Sequence, residues 1–352
     1  MIPPGSTIGI VGGGQLGRML AIAAAQLGYK CHILDPHEHV CAADVAARFT
    51  RAAFDDEAAL RTFADAVDVA TYEFENVPVE PLTLLGDKLL PGVRSLEIAQ
   101  DRAHEKEFIE STGARVAPWR AVSALEDVQA ALADLGLPLV LKSRRYGYDG
   151  KGQAWIRSPE GAEAAWDSNG REPAIAEAAV DFTAEYSVIV ARWADGRHRF
   201  WDSPQNEHRD GILRRSTVPC GEAVAAEVEE ARAAALRIAE ALGHVGVLTV
   251  EYFAAPEGPL VNEIAPRVHN SGHWTIEGSV TSQFEQHVRA ICDLPPGLTG
   301  LMRGGAVMEN LIGPDVERWP ELVAERGAHV HIYGKGEARP GRKMGHVTRV
   351  KR

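Results

Sequence analysis

Residues 245–265 read VGVLTVEYFAAPEGPLVNEIA, two apolar runs joined by AAPEG. Runs of this kind bounded by Pro and Gly read as strands, and so short a connection makes them an antiparallel hairpin. Centring the turn on Glu257 sets Glu251 opposite Glu263 on one face. Like charges directly opposed across paired strands are destabilising. Two solvated acids on an exposed face would escape that penalty, but the neighbouring residues are strongly apolar. A shared cation is the simplest compensation. Magnesium takes a few carboxylate and amide oxygens and completes its shell with phosphate oxygens. Asn262 adds an amide oxygen if a bulge turns it inward.

Upstream, Lys142 ends the apolar strand LPLVLK and precedes the loop Gly147-Tyr148-Asp149-Gly150-Lys151-Gly152-Gln153. A lysine at a strand end, beside a glycine loop, can meet phosphates as a point charge. The loop lacks the G-x-x-x-x-G-K-[ST] of a Walker A motif. Lying between strands, it can instead close over a triphosphate as a lid. The competing reading is an ordinary flexible hairpin with a snorkelling lysine.

Nearer the start, Gly12-Gly13-Gly14-Gln15-Leu16-Gly17 fits G-x-G-x-x-G between a strand and a helix, and Asp35 ends the next strand. Alone this suggests a nicotinamide dinucleotide. Mechanically, a glycine turn opening a helix offers N–H groups to any phosphate or carboxylate, with Gln15 facing the ligand. A tight structural turn is the third possibility.

Strands at Ser6–Gly12, Cys31–Leu34 and Asp68–Tyr72, with a helix over Leu16–Leu27, make a βαβ pattern and a parallel sheet. Beyond a boundary near residue 95, Ser95 is expected to cap a helix running to Thr112. Ser123 with Glu126 forms a capping box for the next helix, which ends near Gly136. EAAV and EYSVIVAR read as a further βαβ-like stretch. The Ala/Glu-rich segment Glu222–Leu242 and the segment Glu277–Ile291 read as helices, and the tail from Pro295 as short β-like pieces.

A chain of 352 residues allows two or three domains. A net charge of −12 argues against nucleic acid or an anionic membrane surface as partner. No apolar run approaches the roughly 20 residues that span a bilayer, and the first residues do not read as a signal peptide. Cys31, Cys41, Cys220 and Cys292 are scattered, which favours a reduced, cytoplasmic protein without a metal cluster. His269 and His273 are poor zinc ligands, because Asn270-Ser271-Gly272 is not a helical spacer and no further ligand lies nearby.

In order, a strand lysine, a glycine lid, a hinge strand and two acids resemble the ATP-grasp superfamily. Within it the chain resembles the N5-carboxyaminoimidazole ribonucleotide synthetase family of purine biosynthesis. The stretches that carry the likeness are GGGQLGRML, TYEFENVP, YGYDGKGQ, HRDGILR, NEIAPRVHNSGHWT, SQFEQH and RPGRKMGH, from Gly12 to His346. Members usually continue further beyond RPGRKMGH. The resemblance implies an α/β protein (α+β in its centre) with an ATP-grasp fold. A Rossmann-like pre-ATP-grasp domain is expected over 1–95, an ATP-grasp domain over 96–292 with a lid over about 114–175, and a small β-rich C-terminal domain over 293–352. It moves the glycine loop from dinucleotide binding to the acceptor substrate, so no NAD is expected.

The activity implied is ATP- and bicarbonate-dependent carboxylation of 5-aminoimidazole ribonucleotide through carboxyphosphate. ATP and two magnesium ions are the implied cofactors, and a homodimer the implied assembly. By resemblance, Arg102 looks like a nucleotide-binding arginine. Glu177, Ala178, Ala179 and Val180 look like the hinge that reads adenine. Glu185 matches the ribose-holding acid and His208 a nucleotide-site histidine. Lys142, Gly147, Tyr148, Asp149, Gly150, Lys151, Gly152, Gln153, Asn262 and Glu263 complete the ATP site. The metal falls to Glu251, Glu263 and Asn262. Arg267 is expected on the γ-phosphate or carboxyphosphate, and Asp149 orients or deprotonates the reacting amine. For the acceptor, the set is Gln15, Leu16, Glu73 on the ribose, His269, Asn270, Ser271 and His273. Arg339, Arg342 and Lys343 form its 5′-phosphate clamp. The alternatives are another ATP-grasp ligase on a purine-pathway ribonucleotide, or a nicotinamide oxidoreductase, which leaves Lys142, Glu251 and Glu263 unexplained.

Overall fold

The apolar N-terminal runs form four parallel strands, β1 (Thr7–Val11), β2 (Lys30–Asp35), β3 (Arg48–Arg51) and β4 (Val69–Tyr72), ordered β3-β2-β1-β4. These and the elements below come from a computed structural model that describes residues 1–147 and 150–351. The Gln15–Gln26 helix lays Leu16, Met19, Leu20, Ala23 and Ala24 on Ile8 and Ile10. The spacing of those residues is that of an amphipathic helix facing a core.

A second sheet is antiparallel and ordered β5-β8-β6-β7: β5 (Trp119–Val122), β6 (Leu139–Ser143), β7 (Gln153–Ile156) and β8 (Ala174–Ala178). Helices Leu125–Leu135 and Gly161–Ser168 cover it and give it a core of its own, around Val128, Leu139, Ile156 and Trp166.

The third sheet carries the remaining strands: β9 (Ala184–Arg192), β10 (His198–Phe200), β11 (Gln205–Arg209), β12 (Ile212–Val218), β13 (Gly246–Ala255), β14 (Gly258–Ala265), β15 (Ala306–Ile312), β16 (Ala328–Ile332) and β17 (Lys343–Val350). Its order is β14-β13-β9-β11-β12-β15-β17-β16, with β10 on β9. The C-terminal strands therefore extend the central sheet, since β15 pairs with β12. The Val228–Leu242 helix buries Ala231, Ala234, Ala235, Ile238, Ala239 and Leu242 in the core with β9 and β13. It ends on Gly243 at φ +63°, a left-handed cap that favours glycine.

Several expected elements differ. The helix from Ser95 to Thr112 is two helices, Val93–Ala99 and Arg102–Ser111. Asp101 leaves helical geometry and caps the second by accepting from the Ala103 and His104 amides. In the covering helix, Asp127 rather than Glu126 accepts from the Ser123 and Ala124 amides. The helix expected over Glu277–Ile291 is two, Thr275–Gly278 and Gln283–Ile291, the second capped by Ser282. EAAV and EYSVIVAR form no parallel unit, because β8 and β9 lie in different sheets.

Two buried histidines pin the parallel sheet and the Val93–Ala99 helix to the central sheet. His287 accepts from the Val247 amide at 3.1 Å, so its Nε2–H donates to Thr71 Oγ1 at 2.8 Å. His244 Nε2 donates to the Val247 carbonyl at 3.0 Å and leaves Nδ1 to accept from Ser95 Oγ at 3.0 Å. Burial pushes the His287 pKa down to about 3, so the neutral ring serves at ordinary pH. Thr71→Val keeps the shape and strands a buried N–H, which costs about 1–3 kcal/mol. Denaturant unfolding is expected to register that loss; an unchanged midpoint would contradict the pin.

Candidate active site

Strands β13 and β14 pair Glu251 with Glu263. Below them Tyr252 pairs with Val261 and Ala255 with Gly258, so the turn is Pro256-Glu257 and is centred half a residue before Glu257. A bulge at Asn262 makes up the difference and puts the acids opposite each other. Glu251 faces His269 Nε2 at 3.0 Å, and Glu263 Oε2 accepts from Arg102 Nη1 at 3.1 Å. Burial would raise the Glu251 carboxyl, but His269 overrides it and, with His208, holds it well below the usual carboxylate range.

Lys142 Nζ donates to Glu177 Oε1 at 2.7 Å and lies 3.5 Å from Asn262 Oδ1. The other oxygen of Glu177 forms an ion pair with Lys106 Nζ at 2.7 Å, less well aligned than a hydrogen bond. Burial opposes ionisation of Glu177, yet the two lysines hold its carboxyl low. Burial also lowers the Lys142 ammonium below the usual lysine range, against the pull of Glu177.

These groups, except the buried Lys106, line a cleft of about 880 Å³ between the three sheets. One end is apolar: Val140, Trp155, Ala178, Ala179, Val180, Leu213 and Phe253, with Phe182 stacked on Phe253 at 4.7 Å. The amides of Ala178 and Ala179 are already used, by the Pro118 and Pro138 carbonyls. Glu185 and His208 form an ion pair at the edge; burial would lower the His208 pKa, but Glu185 raises it. Gly147, Gly150 and Gln153 reach the cleft, and Gly152, at φ +72°, packs on Ser143 where a Cβ would lie 2.7 Å from Oγ. Lys151 is exposed. Tyr148 and Asp149 lie outside the described residues.

The other end holds Gln15, Leu16, Glu73, Arg267, His269, Asn270 and Lys343. Here the glycine loop has its own ligands. Glu73 accepts from the Gly14 amide at 2.7 Å and the Gly17 amide at 3.1 Å, and Asp35 accepts from Gly13 at 2.8 Å. A Cβ on Gly14 would lie 2.5 Å from Glu73 Oε1, which accounts for glycine there. The donors that suggested a dinucleotide site are thus engaged by the chain's carboxylates. Burial raises the Glu73 carboxyl, against those two amides and Lys335.

Some expected residues lie away from the cleft lining or are already engaged. His273 is fully buried and tilted against Phe284 and His346, away from the cleft lining. Ser271 is buried too, and pairs with His269 Nδ1 at 2.8 Å. Arg339 is exposed and held by Glu337 at 2.9 Å, and Arg342 donates to the Glu337 carbonyl at 3.1 Å. Arg267 is gripped by both oxygens of Glu75, with Nη2 at 2.9 Å from Oε1. Asn270, 8% exposed, has no partner for either side-chain amide atom.

Sequence reading missed Lys106, Glu75, Glu105 and Lys335. Lys106 follows Arg102 by four residues, one helical turn, a spacing that was legible, whereas Glu75 lies in the irregular segment after β4, where no period marks it. Lys335 is half-buried near Glu73; burial lowers its ammonium despite Cys41 and Glu73, and Arg342 and Lys343 add to the lowering. Among the described residues no group of three or more His, Cys, Asp or Glu could hold a metal alone.

Three family models match the chain: a ribonucleotide synthetase preATP-grasp domain over residues 5–100, an ATP-grasp domain over 107–284, and a phosphoribosylaminoimidazole carboxylase C-terminal domain over 306–352. The N5-carboxyaminoimidazole ribonucleotide synthase of Brucella melitensis is 51% identical over 355 residues, covering 99% of this chain and 98% of that protein. The N5-carboxyaminoimidazole synthetase of Staphylococcus aureus, solved with ADP, superposes with a TM-score of 0.94 at 37% identity over 99% of this chain and 94% of that one. The Aspergillus clavatus synthase, solved with ADP and 5-aminoimidazole ribonucleotide, gives 0.92 at 30% identity, with the same coverage.

Removing the acid between two buried lysines is expected to be severe. Glu177→Gln should cost about 3–5 kcal/mol near neutral pH. The folded-state pKa of Glu177 is depressed from 4.5 to about 2, so its stabilisation is present above pH 4.5 and is lost as pH falls toward 2. Denaturant unfolding should therefore show the gap between parent and variant narrowing in acid. A gap as wide at pH 3 as at pH 7 would refute the buried ion triad.

Proposed function

The chain belongs to the N5-carboxyaminoimidazole ribonucleotide synthase family, and from that premise we propose how its own residues divide the work. The reaction is ATP-dependent carboxylation of the amine of 5-aminoimidazole ribonucleotide by bicarbonate, giving ADP and phosphate, in purine biosynthesis. The chain is a ligase that uses ATP.

Adenine enters the apolar end, between Phe182, Phe253, Val140 and Leu213. With the Ala178 and Ala179 amides engaged, the hinge contact to the base falls to the Val180 backbone, just past the end of β8. Glu185, oriented by His208, takes the ribose hydroxyls. Lys142 and Arg102 face the phosphates, in the cleft that Gly147, Gly150 and Gln153 also reach.

Glu251, Glu263 and the Asn262 amide are the proposed magnesium ligands. The fit is chemical: the donors are all hard oxygens, two carboxylates stand opposed on paired strands, and a bulge adds the amide. So few protein ligands suit an ion whose remaining positions go to phosphate oxygens and water. Bound there, magnesium would neutralise charge on the phosphates during transfer. His269 and Arg102 hold the carboxylates in place beforehand.

A bicarbonate oxygen attacks the γ-phosphorus, the bond to the ADP oxygen breaks, and carboxyphosphate forms. The acceptor amine then attacks its carbonyl carbon, phosphate leaves, and the amine loses a proton. Arg267, fixed by Glu75, presents its remaining edge to the anion. Asn270 offers its unpartnered amide. Glu73 faces the acceptor's ribose beside Gln15 and Leu16, and Lys335, Arg342 and Lys343 supply positive charge for its 5′-phosphate. Asp149 is the proposed group that orients or deprotonates the amine, by family resemblance.

A homodimer and a cytoplasmic location belong to the same proposal. All four cysteines are free, and no helix among the described residues is long and apolar enough to cross a membrane. The observation that carries the whole reading is the opposed Glu251–Glu263 pair in one cleft with Lys142 and a glycine loop. Purified protein is expected to release ADP only with magnesium, bicarbonate and 5-aminoimidazole ribonucleotide together, and to carry labelled bicarbonate into product. Glu263→Ala should lower kcat about 100-fold or more with its circular dichroism unchanged. Full activity in that variant would remove the metal assignment.

A further inference from the structure

Lys106 has no exposed surface. A lysine is almost never fully buried unless its charge is paired. Here the ammonium meets Glu177 Oε2 at 2.7 Å and donates to the Asn262 and Val261 carbonyls at 3.2 and 3.5 Å. Those carbonyls belong to the bulge and the residue before it, where the ladder with β13 is broken. The adjacent Glu105 accepts from the Ile264 amide at 2.7 Å, on the far side of the bulge. Two consecutive helical residues therefore clamp the segment 261–264 from both ends, one by its carbonyls and one by its amide. The same ammonium reaches across to β8, whose Glu177 seats Lys142.

We infer that Lys106 is a positioning residue for phosphoryl transfer: it fixes the bulge that aims Asn262 and Glu263, and it keeps Glu177 compensated when Lys142 turns from Glu177 to a phosphate. Without it, that turn would leave a buried carboxylate unpaired, and the nucleotide complex would be destabilised. This rests on the proposed roles of Lys142, Asn262 and Glu263. Lys106 does not touch substrate; it acts through Glu177 and the β14 backbone.

The test is Lys106→Met, which keeps the chain length and removes the charge, beside Lys106→Gln, which retains a donor for the carbonyls. Each is measured for kcat, for KM of ATP and of 5-aminoimidazole ribonucleotide, and for the magnesium concentration that gives half-maximal rate. ADP affinity is measured by calorimetry with and without magnesium. Lys106→Met should lower kcat and weaken magnesium-dependent ADP binding by about tenfold or more each, with the acceptor KM unchanged. Lys106→Gln should recover part of the magnesium response. Combining Lys106→Met with Glu177→Gln should lower kcat no further than the worse single variant, because both act in one unit. A folded Lys106→Met with parental kcat, magnesium response and ADP affinity overturns the inference. Failure of both single variants to fold also overturns it, because Lys106 then belongs to the scaffold. A parent that does not turn over ATP with 5-aminoimidazole ribonucleotide would sink the proposed function itself, a separate outcome.

Discussion

Two carboxylates held opposite each other on paired strands, Glu251 and Glu263, are the constraint around which the cleft is arranged. Such an arrangement is repulsive in isolation. Each acid is compensated from outside the hairpin: Glu251 by His269, which follows β14, and Glu263 by Arg102, from the Arg102–Ser111 helix. The hairpin thus cannot take its shape apart from the elements that supply those partners. This links the helix at the start of the ATP-grasp region to the strands at its end, 161 residues later.

Behind this pair, buried charges alternate in sign. Arg102 with Glu263, and Lys106 and Lys142 with Glu177, leave no charge without an opposite neighbour, and between them Glu105, its carboxyl pushed up to about 8 by burial, accepts from the Ile264 amide. Breaking such a set is costly, although the intact set contributes little net stability against an apolar core. Its value is positional. It keeps Lys142 seated on Glu177 and Glu263 on Arg102 at the cleft. At the other end of the cleft, Arg267 on Glu75 and the glycine loop on Glu73 repeat the device with different partners.

The hairpin register was legible because strand alternation and turn length leave few choices. The bulge was legible only as a condition, since one extra residue changes no local propensity. The glycine loop misled because its pattern marks available N–H donors and not their occupant; Glu73 and Asp35 arrive from β4 and β2, far along the chain. The break at Asp101 was missed because Ser95 was read as the cap of one continuous helix, whereas it lies inside the Val93–Ala99 helix with its hydroxyl on His244. His273 lies in a motif of polar residues yet is buried by the C-terminal strands, a contact no local pattern reports. The pairing of β15 with β12 was equally hidden, being a long-range choice of sheet edge.

The most direct measurement is titration of the purified chain with manganese in the presence of ADP, followed by the electron paramagnetic resonance signal of the free ion. If Glu251 and Glu263 are opposed in order to share a cation, the parent quenches the signal only with nucleotide present, and the Glu251→Gln/Glu263→Gln variant does not quench it. Equal quenching by that folded variant would contradict the metal reading of the pair.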